Sequence, residues 1–525
     1  MGHSRLFAWY KNRMQNKILK IKHYFVYIIP LIILIVSSKL MLKGSGYAHP
    51  TPRDITLVCA LYIILYASKK AYYWIGVPIA ILYAIYTPIG LTFDKPTYQY
   101  FASVIATDAI EGIEFFTQIP FTHYLYAVLI IVGIFAFQKL CTKLNINYYR
   151  NKTLMIILVI IALINQSPFD YFYNIYESIS KVKGEVSALH DFTKSSEWGK
   201  STLNNNSRYD DYVLVIGESV RRDYMGVYGY PINNTPFLSR VNSTIIDGLN
   251  SAGNNTIGSL RLMLTQSDKE KLEPNYGLNL VGLAKSAGFK TYWISNQGYI
   301  GKHDTPITFI AKHADVKKFN KLGAFNSNDE SDFSLIPIFQ KELNAPIQKK
   351  QKRLFIIHLY GSHPNPCGRI QDYENHFITQ DRQYHNISCY VASINKTDEI
   401  LESIYSLLET QYQQKERKFS MIYFADHGLS HQEEGDQIKL LHGKTKYAYR
   451  VPLIQLSSDH QSTQYIVANK SGMMFIDGIA NWLGVSNPLL NENYHLFNSE
   501  NYIEDFGLSE KIEDKPDDAI NIHGK

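Results

Sequence analysis

Cysteine is scarce in this sequence, and neither sign of charge dominates it. The net charge of +6 is modest and the basic residues are spread along the chain, so the sequence does not favour nucleic-acid binding. Of the four cysteines, Cys59 and Cys141 lie in or beside apolar segments and are interpreted as small hydrophobic residues. Cys367 and Cys389 lie in the polar part of the chain, where they can form a disulfide if that part is exported.

Long apolar runs fill the first third of the chain, where many of the 39 tyrosines and 26 phenylalanines also fall. Five runs come near the length that crosses a membrane, some only when flanking residues are counted. They cover Tyr24–Leu42, Ile55–Ala67, Tyr72–Leu91, Tyr124–Phe137 and Leu154–Ile164. We therefore predict a membrane domain with five transmembrane helices over residues 1–166. A cleaved signal peptide is not expected, because several spans follow the first.

The loop charges predict how these spans are oriented. Basic residues precede the first span and lie between the second and third and between the fourth and fifth spans. The loop from Thr92 to His123 carries one lysine against four acidic residues. Because basic loops stay in the cytoplasm, we expect a cytoplasmic N-terminus and an exported segment after the fifth span.

Beyond residue 166 the composition turns polar, and short apolar segments alternate with helical patterns. Residues 167–208 are interpreted as a bridging helix and linker, and residues 504–525 as a polar C-terminal tail on the surface. Four strand-like segments rich in β-branched or aromatic residues cover Tyr212–Gly217, Phe289–Ser295, Arg353–Leu359 and Phe419–Ala425. Their alternation with helices predicts an α/β catalytic domain with a mostly parallel central sheet over residues 209–503.

Titratable side chains gather where these strands end, and in open α/β sheets that edge is where sites form. The candidates lie at a strand end or in a loop beyond it: Glu218, His358, His363, Asp426, His427 and His442. Carboxylates and imidazoles that converge suit a divalent metal such as zinc. Each motif alone is weak, since Glu218 or Asp426 could simply begin a helix, but their joint occurrence in this order predicts a metal site.

The remaining requirement is a hydroxyl nucleophile. Segment Ser251–Thr265 is a small polar loop that runs into an apolar helical pattern. A hydroxyl at such a helix start faces backbone N–H groups and a dipole that favour phosphate, and a metal can lower its pKa. Thr256, Ser259 and Ser251 all meet these requirements, and the chemistry alone does not choose among them.

At this point the chain resembles the phosphoethanolamine transferases of the alkaline phosphatase/sulfatase superfamily, which include lipid A-modifying enzymes. The resemblance covers nearly the whole chain. Its motifs are YVLVIGESVRRDYMGVYGYPINNTPFL at 212–238, HLYGSHPN at 358–365, YFADHG at 423–428 and LHG at 441–443. It implies a five-helix membrane domain and an alkaline phosphatase-like catalytic domain, anchored in the inner membrane with the catalytic domain in the periplasm.

The resemblance also implies roles for the matching residues. One tightly bound Zn²⁺ would be held by Glu218, Thr256, Asp426 and His427. Thr256 would be the nucleophile, because its spacing from Glu218 and its place before the apolar helix look like the family's. A second Zn²⁺ or the substrate phosphate would be bound by His363 and His442.

Further substrate contacts follow from shorter matches. Lys302 is similar to a phosphate-contacting lysine, although its surroundings depart from the family pattern. Segment ATDAIEGIEFF is similar to a membrane-proximal segment that would help bind the donor head group through Thr107, Asp108 and Glu111, and His358 is a further candidate for substrate binding.

The resemblance implies transfer of phosphoethanolamine from phosphatidylethanolamine to a lipopolysaccharide or lipooligosaccharide acceptor, lipid A or inner core, through a covalent phospho-threonine. Two departures leave the acceptor open. Leu429 and Ser430 follow Gly428 where the family commonly has Glu-Ser, and only one exported cysteine pair exists where the lipid A enzymes carry several disulfides.

Other functions of the superfamily are also considered. A sulfatase is disfavoured, because neither exported cysteine lies in a Cys/Ser-x-Pro-x-Arg setting. The alternatives are a glycerol-phosphate transferase, another phosphotransferase or hydrolase that acts on an envelope glycan, and an inactive envelope scaffold.

Overall fold

The computed structural model describes residues 27–47, 49–93, 95–96, 112–113, 115–116, 118–164, 171–180, 184, 196–297, 305–320 and 331–523. The chain divides into two compact units, one in its N-terminal third and one that contains the described residues from 196 onward. The finer boundaries at residues 166, 208 and 503 stay predictions.

Helices make up the N-terminal unit, and each of the five predicted apolar runs contributes to one of them. They are α1 Tyr27–Gly44, α2 Pro52–Leu65, α3 Lys69–Phe93, α4 Phe121–Lys143, α5 Lys152–Ile164 and α6 171–180. Helix α3 contains one wider π-helical turn at Tyr72–Gly76.

Three helices of this unit, α1, α3 and α4, have the length and apolar composition of a membrane span within the described residues. Helices α2 and α5 have 14 and 13 residues there, fewer than the roughly 20 that a crossing needs. Large apolar side chains such as Trp74 and Ile85 face outward, as contact with lipid requires. Length therefore supports three of the five predicted spans, and the number of crossings stays a prediction.

The second unit is an α/β domain around one eight-stranded sheet. Its strands are β1 Thr202–Leu203, β2 Asp211–Gly217, β3 Thr244–Asn250, β4 Lys290–Ser295, β5 Val316–Phe319, β6 Arg353–His358, β7 Phe419–Ala425, β8 Ser430–Glu434, β9 Gln437–Leu441, β10 Leu453–Ser457, β11 Gln464–Ser471 and β12 Val485–Ser486. The order in the large sheet is β11-β3-β10-β7-β2-β6-β4-β5. The pairs β1–β12 and β8–β9 form two small ribbons.

The large sheet is mixed rather than wholly parallel. Strand β10 runs antiparallel to both of its neighbours, β3 and β7. The other neighbouring pairs of the sheet are parallel. Central strands β2, β6 and β7 bury every residue, which explains their continuous apolar sequences.

Helices of the second unit, apart from the four-residue helix Pro366–Arg369, contribute to the same apolar core as the strands. The helices are α7 Pro236–Arg240, α8 Thr256–Met263, α9 Leu280–Ser286, α10 Pro306–Lys312, α11 Leu335–Asn344, α12 Pro366–Arg369, α13 His385–Lys415 and α14 Phe475–Leu483. Helix α8 begins directly beyond β3 in the chain, which brings its first turn to the edge where β2 and β7 end.

The C-terminal segment is partly buried, unlike the surface tail predicted from its composition. Asp517 is 6% exposed and accepts hydrogen bonds from Arg221 and Thr445. Ile522 is also buried. Since Arg221 has no exposed side-chain surface, its pairing with Asp517 fixes this segment to the catalytic unit.

Candidate active site

The ends of β2 and β7 place two carboxylates side by side. These strands are parallel neighbours, and Gly217 pairs with Ala425 at their last position. Glu218 follows β2 and Asp426 follows β7, so both side chains leave the sheet at the same edge. Both residues are completely buried, as is His427. The structure therefore brings together three of the metal ligands predicted from the sequence.

Thr256 completes this cluster. Its Oγ1 lies 2.9 Å from Glu218 Oε2 and 3.5 Å from His427 Nε2. The same His427 nitrogen lies 3.3 Å from Glu218 Oε1 and 3.6 Å from Asp426 Oδ2. Ligands about 2.0–2.1 Å from a tetrahedral zinc ion lie roughly 3.3–3.4 Å from one another. The spacing of these side chains thus fits a zinc ion.

The lone pairs of the cluster also fit a cation. Asp426 Oδ1 accepts from the backbone N–H groups of Ser219 and His427, at 3.1 and 2.8 Å. Its buried Oδ2 accepts no hydrogen bond from a described residue. His427 Nδ1 lies 2.7 Å from the Gly428 carbonyl, which can only accept, so in the neutral ring that binds a metal Nε2 carries the lone pair. Buried lone pairs of this kind are costly unless a cation or a donor meets them.

The pKa values of the cluster indicate concentrated negative charge. Burial raises the pKa of Asp426 to about 8, and the neighbouring Glu218 carboxylate adds to the shift. Burial opposes ionisation of Glu218 as well, but the His427 imidazolium outweighs it and holds the pKa of Glu218 well below its usual value. Burial disfavours the charged form of His427, yet the Asp426 and Glu218 carboxylates raise its pKa to about 9. A divalent cation would neutralise this buried charge.

Of the three candidate hydroxyls, only that of Thr256 contacts Glu218. Thr256 is the first residue of α8, and Asn255 caps the helix by accepting from Gly258 N–H at 2.8 Å. Ser259 instead donates to the Asp426 carbonyl at 2.6 Å, and Ser251 donates to the Gly253 carbonyl at 2.7 Å. The helix start thus positions Thr256 as the candidate nucleophile.

His363 and His442 lie beside the cluster. The ring centroid of His442 is 5.1 Å from that of His427 and 6.4 Å from that of His363. His442 Nδ1 lies 3.3 Å from the Asn254 carbonyl, so Nδ1 donates and Nε2 is left to accept. Burial lowers the pKa of His442 to about 3, which keeps the ring neutral. These two imidazoles are suited to a second metal ion or a phosphate group.

Of the other predicted contacts, only His358 lies in the part of the chain that the structure describes. His358 is 2% exposed, and burial lowers its pKa to about 4. Its Nε2 has no hydrogen-bond partner among the described residues, and its Nδ1 lies 3.4 Å from Ser295 Oγ. Lys302, Thr107, Asp108 and Glu111 lie outside the described residues.

Sequence reasoning missed residues that hold the loops of the site. Ser219 adopts φ +59°, a left-handed conformation that strains a non-glycine residue, and its hydroxyl donates to Glu218 Oε1 at 2.5 Å. Asp332 accepts from the Asn296 amide and from the N–H groups of Tyr360 and Gly361, each at 2.8 Å. It therefore joins the loops that follow β4 and β6. Of these residues, only Ser219 lay in a motif.

A disulfide lies close along the chain to the second imidazole pair. Cys367 and Cys389 are bonded, which links helix α12 to the first turns of α13. Since His363 precedes α12 by only a few residues, the bond restrains the segment that carries this imidazole. Cys59 and Cys141 are buried free thiols, as the sequence indicated.

A substitution at Gly361 tests how closely the loop after β6 packs against Glu218. Its φ is +49°, and an added Cβ would lie 3.0 Å from Glu218 N and 3.1 Å from Glu218 Cβ. We expect Gly361→Ala to lower activity at least about tenfold, because the new methyl group displaces Glu218. Gly435→Ala is the control, since Gly435 has φ +61° but open space around it. Both variants should lose about 1 kcal/mol of stability, and equal catalytic activities of the two variants would contradict the prediction.

Comparison with known proteins shows similarity in both sequence and fold. Residues 210–485 match the family model described as Sulfatase. A protein of Haemophilus influenzae (strain ATCC 51907 / DSM 11121 / KW20 / Rd), provisionally named a phosphoethanolamine transferase, is 46% identical over 425 residues, 80% of this chain and 87% of that protein. Phosphoethanolamine transferase OpgE of Escherichia coli (strain K12) is 36% identical over 308 residues, 57% of this chain and 56% of that protein.

A solved structure extends the likeness in fold over both units. The integral membrane protein lipooligosaccharide phosphoethanolamine transferase A of Neisseria meningitidis has a TM-score of 0.58 at 16% identity. The match covers 89% of this chain and 97% of that chain. Together with the family match, these relatives show that the chain belongs to the sulfatase family, among the membrane-bound phosphoethanolamine transferases of the alkaline phosphatase/sulfatase superfamily.

Proposed function

We propose that this protein transfers phosphoethanolamine from phosphatidylethanolamine to a lipopolysaccharide or lipooligosaccharide acceptor, lipid A or inner core, through a phospho-threonine at Thr256. One observation carries the proposal: the Thr256 hydroxyl begins a helix and lies 2.9 Å from a carboxylate of a buried cluster that fits zinc. Relatives at 46% and 36% identity that bear the name phosphoethanolamine transferase support this donor class.

The proposed location is the inner membrane, with the N-terminus in the cytoplasm and the catalytic unit in the periplasm. Helices α1, α3 and α4 have the length and apolar composition for membrane anchorage. Both substrates are lipids under this proposal, so anchoring raises their effective concentration at the site.

The residues of the cluster have distinct proposed roles. Glu218, Asp426 and His427 would hold one zinc ion against Thr256, and His363 and His442 would bind a second zinc ion or the phosphate of the substrate. Bound zinc would neutralise charge on the phosphoryl oxygens and favour the ionised hydroxyl. The start of α8 contributes backbone N–H groups that attract phosphate.

The first half-reaction follows from the orientation of Thr256. Its hydroxyl donates to Glu218 Oε2, so the proton has an acceptor while Oγ presents a lone pair to phosphorus. One P–O bond forms to Oγ, the P–O bond to diacylglycerol breaks, and the proton leaves with the diacylglycerol oxygen. In the second half-reaction the acceptor oxygen attacks phosphorus, the P–Oγ bond breaks, and Oγ gains the proton that the acceptor hydroxyl gives up. This order predicts ping-pong kinetics.

Intact-protein mass spectrometry tests the proposal on the full chain in detergent. Zinc-loaded protein incubated with phosphatidylethanolamine, without acceptor, should gain one phosphoethanolamine and release diacylglycerol. Thr256→Ala should gain none. Ser251→Ala and Ser259→Ala should still gain the adduct, because their hydroxyls donate to backbone carbonyls away from Glu218.

The outcomes separate the alternative functions. An adduct from phosphatidylglycerol alone would replace the proposal with glycerol-phosphate transfer. No adduct and no diacylglycerol from either lipid would favour an inactive scaffold. After the phosphoethanolamine adduct has formed, lipid A or core oligosaccharide is added. The compound that removes the adduct from the protein is the acceptor.

A further inference from the structure

We infer that Gln297 is a positioning residue that fixes the Glu218 carboxylate for zinc and for Thr256. Gln297 lies two residues beyond the end of β4. Its Nε2 lies 2.8 Å from Glu218 Oε2 and 2.6 Å from the Leu359 carbonyl oxygen. The sequence alone assigned it no role, and it is separated from Glu218 by 79 positions. The inference rests on the proposed role of Glu218 as a zinc ligand.

The geometry fixes which end of the amide faces the site. Both partners of Gln297 Nε2, a carboxylate and a carbonyl, can only accept hydrogen bonds at the pH of a working enzyme. The atom between them is therefore the NH₂ group, and its two hydrogens are both used. Gln297 thus bridges the carboxylate at the end of β2 to the backbone at the end of β6.

The bridge determines how Glu218 is rotated. Oε1 accepts from the Ser219 hydroxyl and faces His427, whereas Oε2 accepts from both Thr256 and Gln297. The Ser219 contact holds only one side of the carboxylate. Without Gln297, the one described residue that still donates to Oε2 is Thr256, whose hydroxyl the reaction must deprotonate. Gln297 is the donor that can hold Oε2 in place throughout the cycle.

The backbone of Gln297 is itself held firmly. Ser295 Oγ donates to the Gln297 carbonyl at 2.7 Å and accepts from the Gln297 N–H at 3.1 Å. The adjacent Asn296 donates to Asp332, the buried carboxylate that also accepts from the loop after β6. Because this loop is already ordered, the Gln297 side chain can orient the Glu218 carboxylate with little loss of entropy when zinc binds. The contacts therefore describe a preorganised support for Glu218.

The test compares Gln297→Met with Gln266→Met in the full chain in detergent. Methionine matches the length of glutamine but donates no hydrogen bond. Gln266 is a matched control, because its Nε2 also bridges a carboxylate, Asp477 at 3.2 Å, and a backbone carbonyl, Leu489 at 2.7 Å. Like Gln297, it is half-buried, but the partners of its Nε2 do not belong to the metal cluster.

Zinc affinity, measured by competition with a chelator, is the primary readout. We expect Gln297→Met to bind zinc about 10- to 100-fold more weakly, the usual effect of losing a residue that supports a metal ligand. With saturating zinc, kcat should fall by more than KM changes, since the bridge orients the reacting groups rather than the lipid. The two variants should unfold at similar temperatures without zinc.

The outcomes distinguish this inference from the proposed function. Wild-type zinc affinity and kcat in Gln297→Met would overturn the inference, while an adduct on wild-type Thr256 would leave the proposed function intact. An equal loss of zinc affinity in Gln266→Met would also overturn it, because the effect would then be a general loosening of the domain. Absence of both zinc and adduct in the wild type would overturn the inference and the proposed function together.

Discussion

A protein with Asp426 replaced by asparagine should purify folded, with little bound zinc and with transferase activity reduced by about 10³-fold. The substitution preserves shape and changes one atom. The Asn amide oxygen can still accept from the N–H groups of Ser219 and His427, as Asp426 Oδ1 does. Its NH₂ group then replaces Oδ2, the buried oxygen that accepts no hydrogen bond from a described residue. A lone pair that would meet the cation thus becomes an N–H group.

The expected size of the effect follows from transition-state energetics. Metal ions and fixed donors stabilise developing charge by several kcal/mol, and each 1.36 kcal/mol corresponds to about tenfold in rate. Loss of one of the three buried residues proposed as ligands should therefore cost about 10³-fold. Zinc per protein chain, measured by elemental mass spectrometry after dialysis, and diacylglycerol release together check the prediction.

Asp398→Asn is the control for replacing a buried carboxylate. Asp398 is 1% exposed and accepts from the N–H groups of Phe237 and Leu238, at 2.7 and 3.1 Å. This variant should retain zinc even if it loses stability. Chelation followed by added zinc should restore the wild type and Asp398→Asn but not Asp426→Asn. Full zinc content and activity in Asp426→Asn would show that the metal lies elsewhere.

The edge of the sheet that carries this cluster could be predicted from the sequence. Apolar strands that end at Gly217 and Ala425 are followed at once by Glu218 and by Asp426 and His427. Parallel neighbours end at the same edge, so these side chains had to meet. A buried strand followed by ionisable residues is a local signal, and it requires no knowledge of distant contacts.

The choice of nucleophile could not be derived in the same way. Ser251, Thr256 and Ser259 lie within nine positions, and all three hydroxyls suit the chemistry. Their hydrogen bonds separate them: two donate to backbone carbonyls and one reaches Glu218. Side-chain direction depends on how α8 is placed against the sheet. From the sequence alone, only the family resemblance favoured Thr256.

Contacts between residues far apart in the chain also could not be predicted from local sequence patterns. Gln297 and Asp332 contact residues from other loops, and the sequence alone assigned neither of them a role. Strand β10 runs against its neighbours although its sequence is as apolar as theirs. Asp517, in a segment whose composition indicated an exposed tail, pairs with Arg221 across 296 positions. Composition describes average exposure, whereas a single buried ion pair can anchor a whole segment.

The largest effect on stability is expected at the opposite end of β2. Asp211 begins that strand and accepts from Arg353 at 2.6 and 2.9 Å and from Arg417 at 2.7 and 2.9 Å. All three side chains are largely buried. Asp211→Ala would leave two buried guanidinium groups without their carboxylate, which typically costs about 3–5 kcal/mol. For a domain of this size we expect the unfolding midpoint to fall by roughly 6–15 °C.

The stabilisation that Asp211 provides should depend on pH, and the shift of its pKa gives the direction of that dependence. Burial acts to raise the pKa of Asp211, but the hydrogen bonds from Arg353 and Arg417 outweigh it, and the net pKa is lowered from 3.8. A lowered pKa means that the stabilisation is present above pH 3.8 and is lost as the pH falls below it. The difference between wild type and Asp211→Ala should therefore be full at neutral pH and shrink in acid.

Tryptophan fluorescence of the full chain in detergent can follow the unfolding, since the Trp482 ring packs 5.0 Å from that of Tyr212, next to Asp211. Asp210→Ala is the matched control, because Asp210 Oδ2 accepts only an exposed hydrogen bond from Lys418 N–H. An unfolding midpoint in Asp211→Ala as high as in this control would contradict the prediction.

Asp211 and Glu218 stand about 20 Å apart, one at each end of β2. At one end both carboxylate oxygens of Asp211 accept hydrogen bonds, and at the other Asp426 Oδ2, in the Glu218 cluster, accepts none from a described residue. Asp211→Ala should therefore lower the unfolding temperature while the folded protein keeps its zinc affinity. Asp426→Asn should lose zinc affinity while its unfolding temperature without zinc stays close to that of the wild type. Loss of zinc affinity in folded Asp211→Ala would mean that the two ends are coupled through the strand.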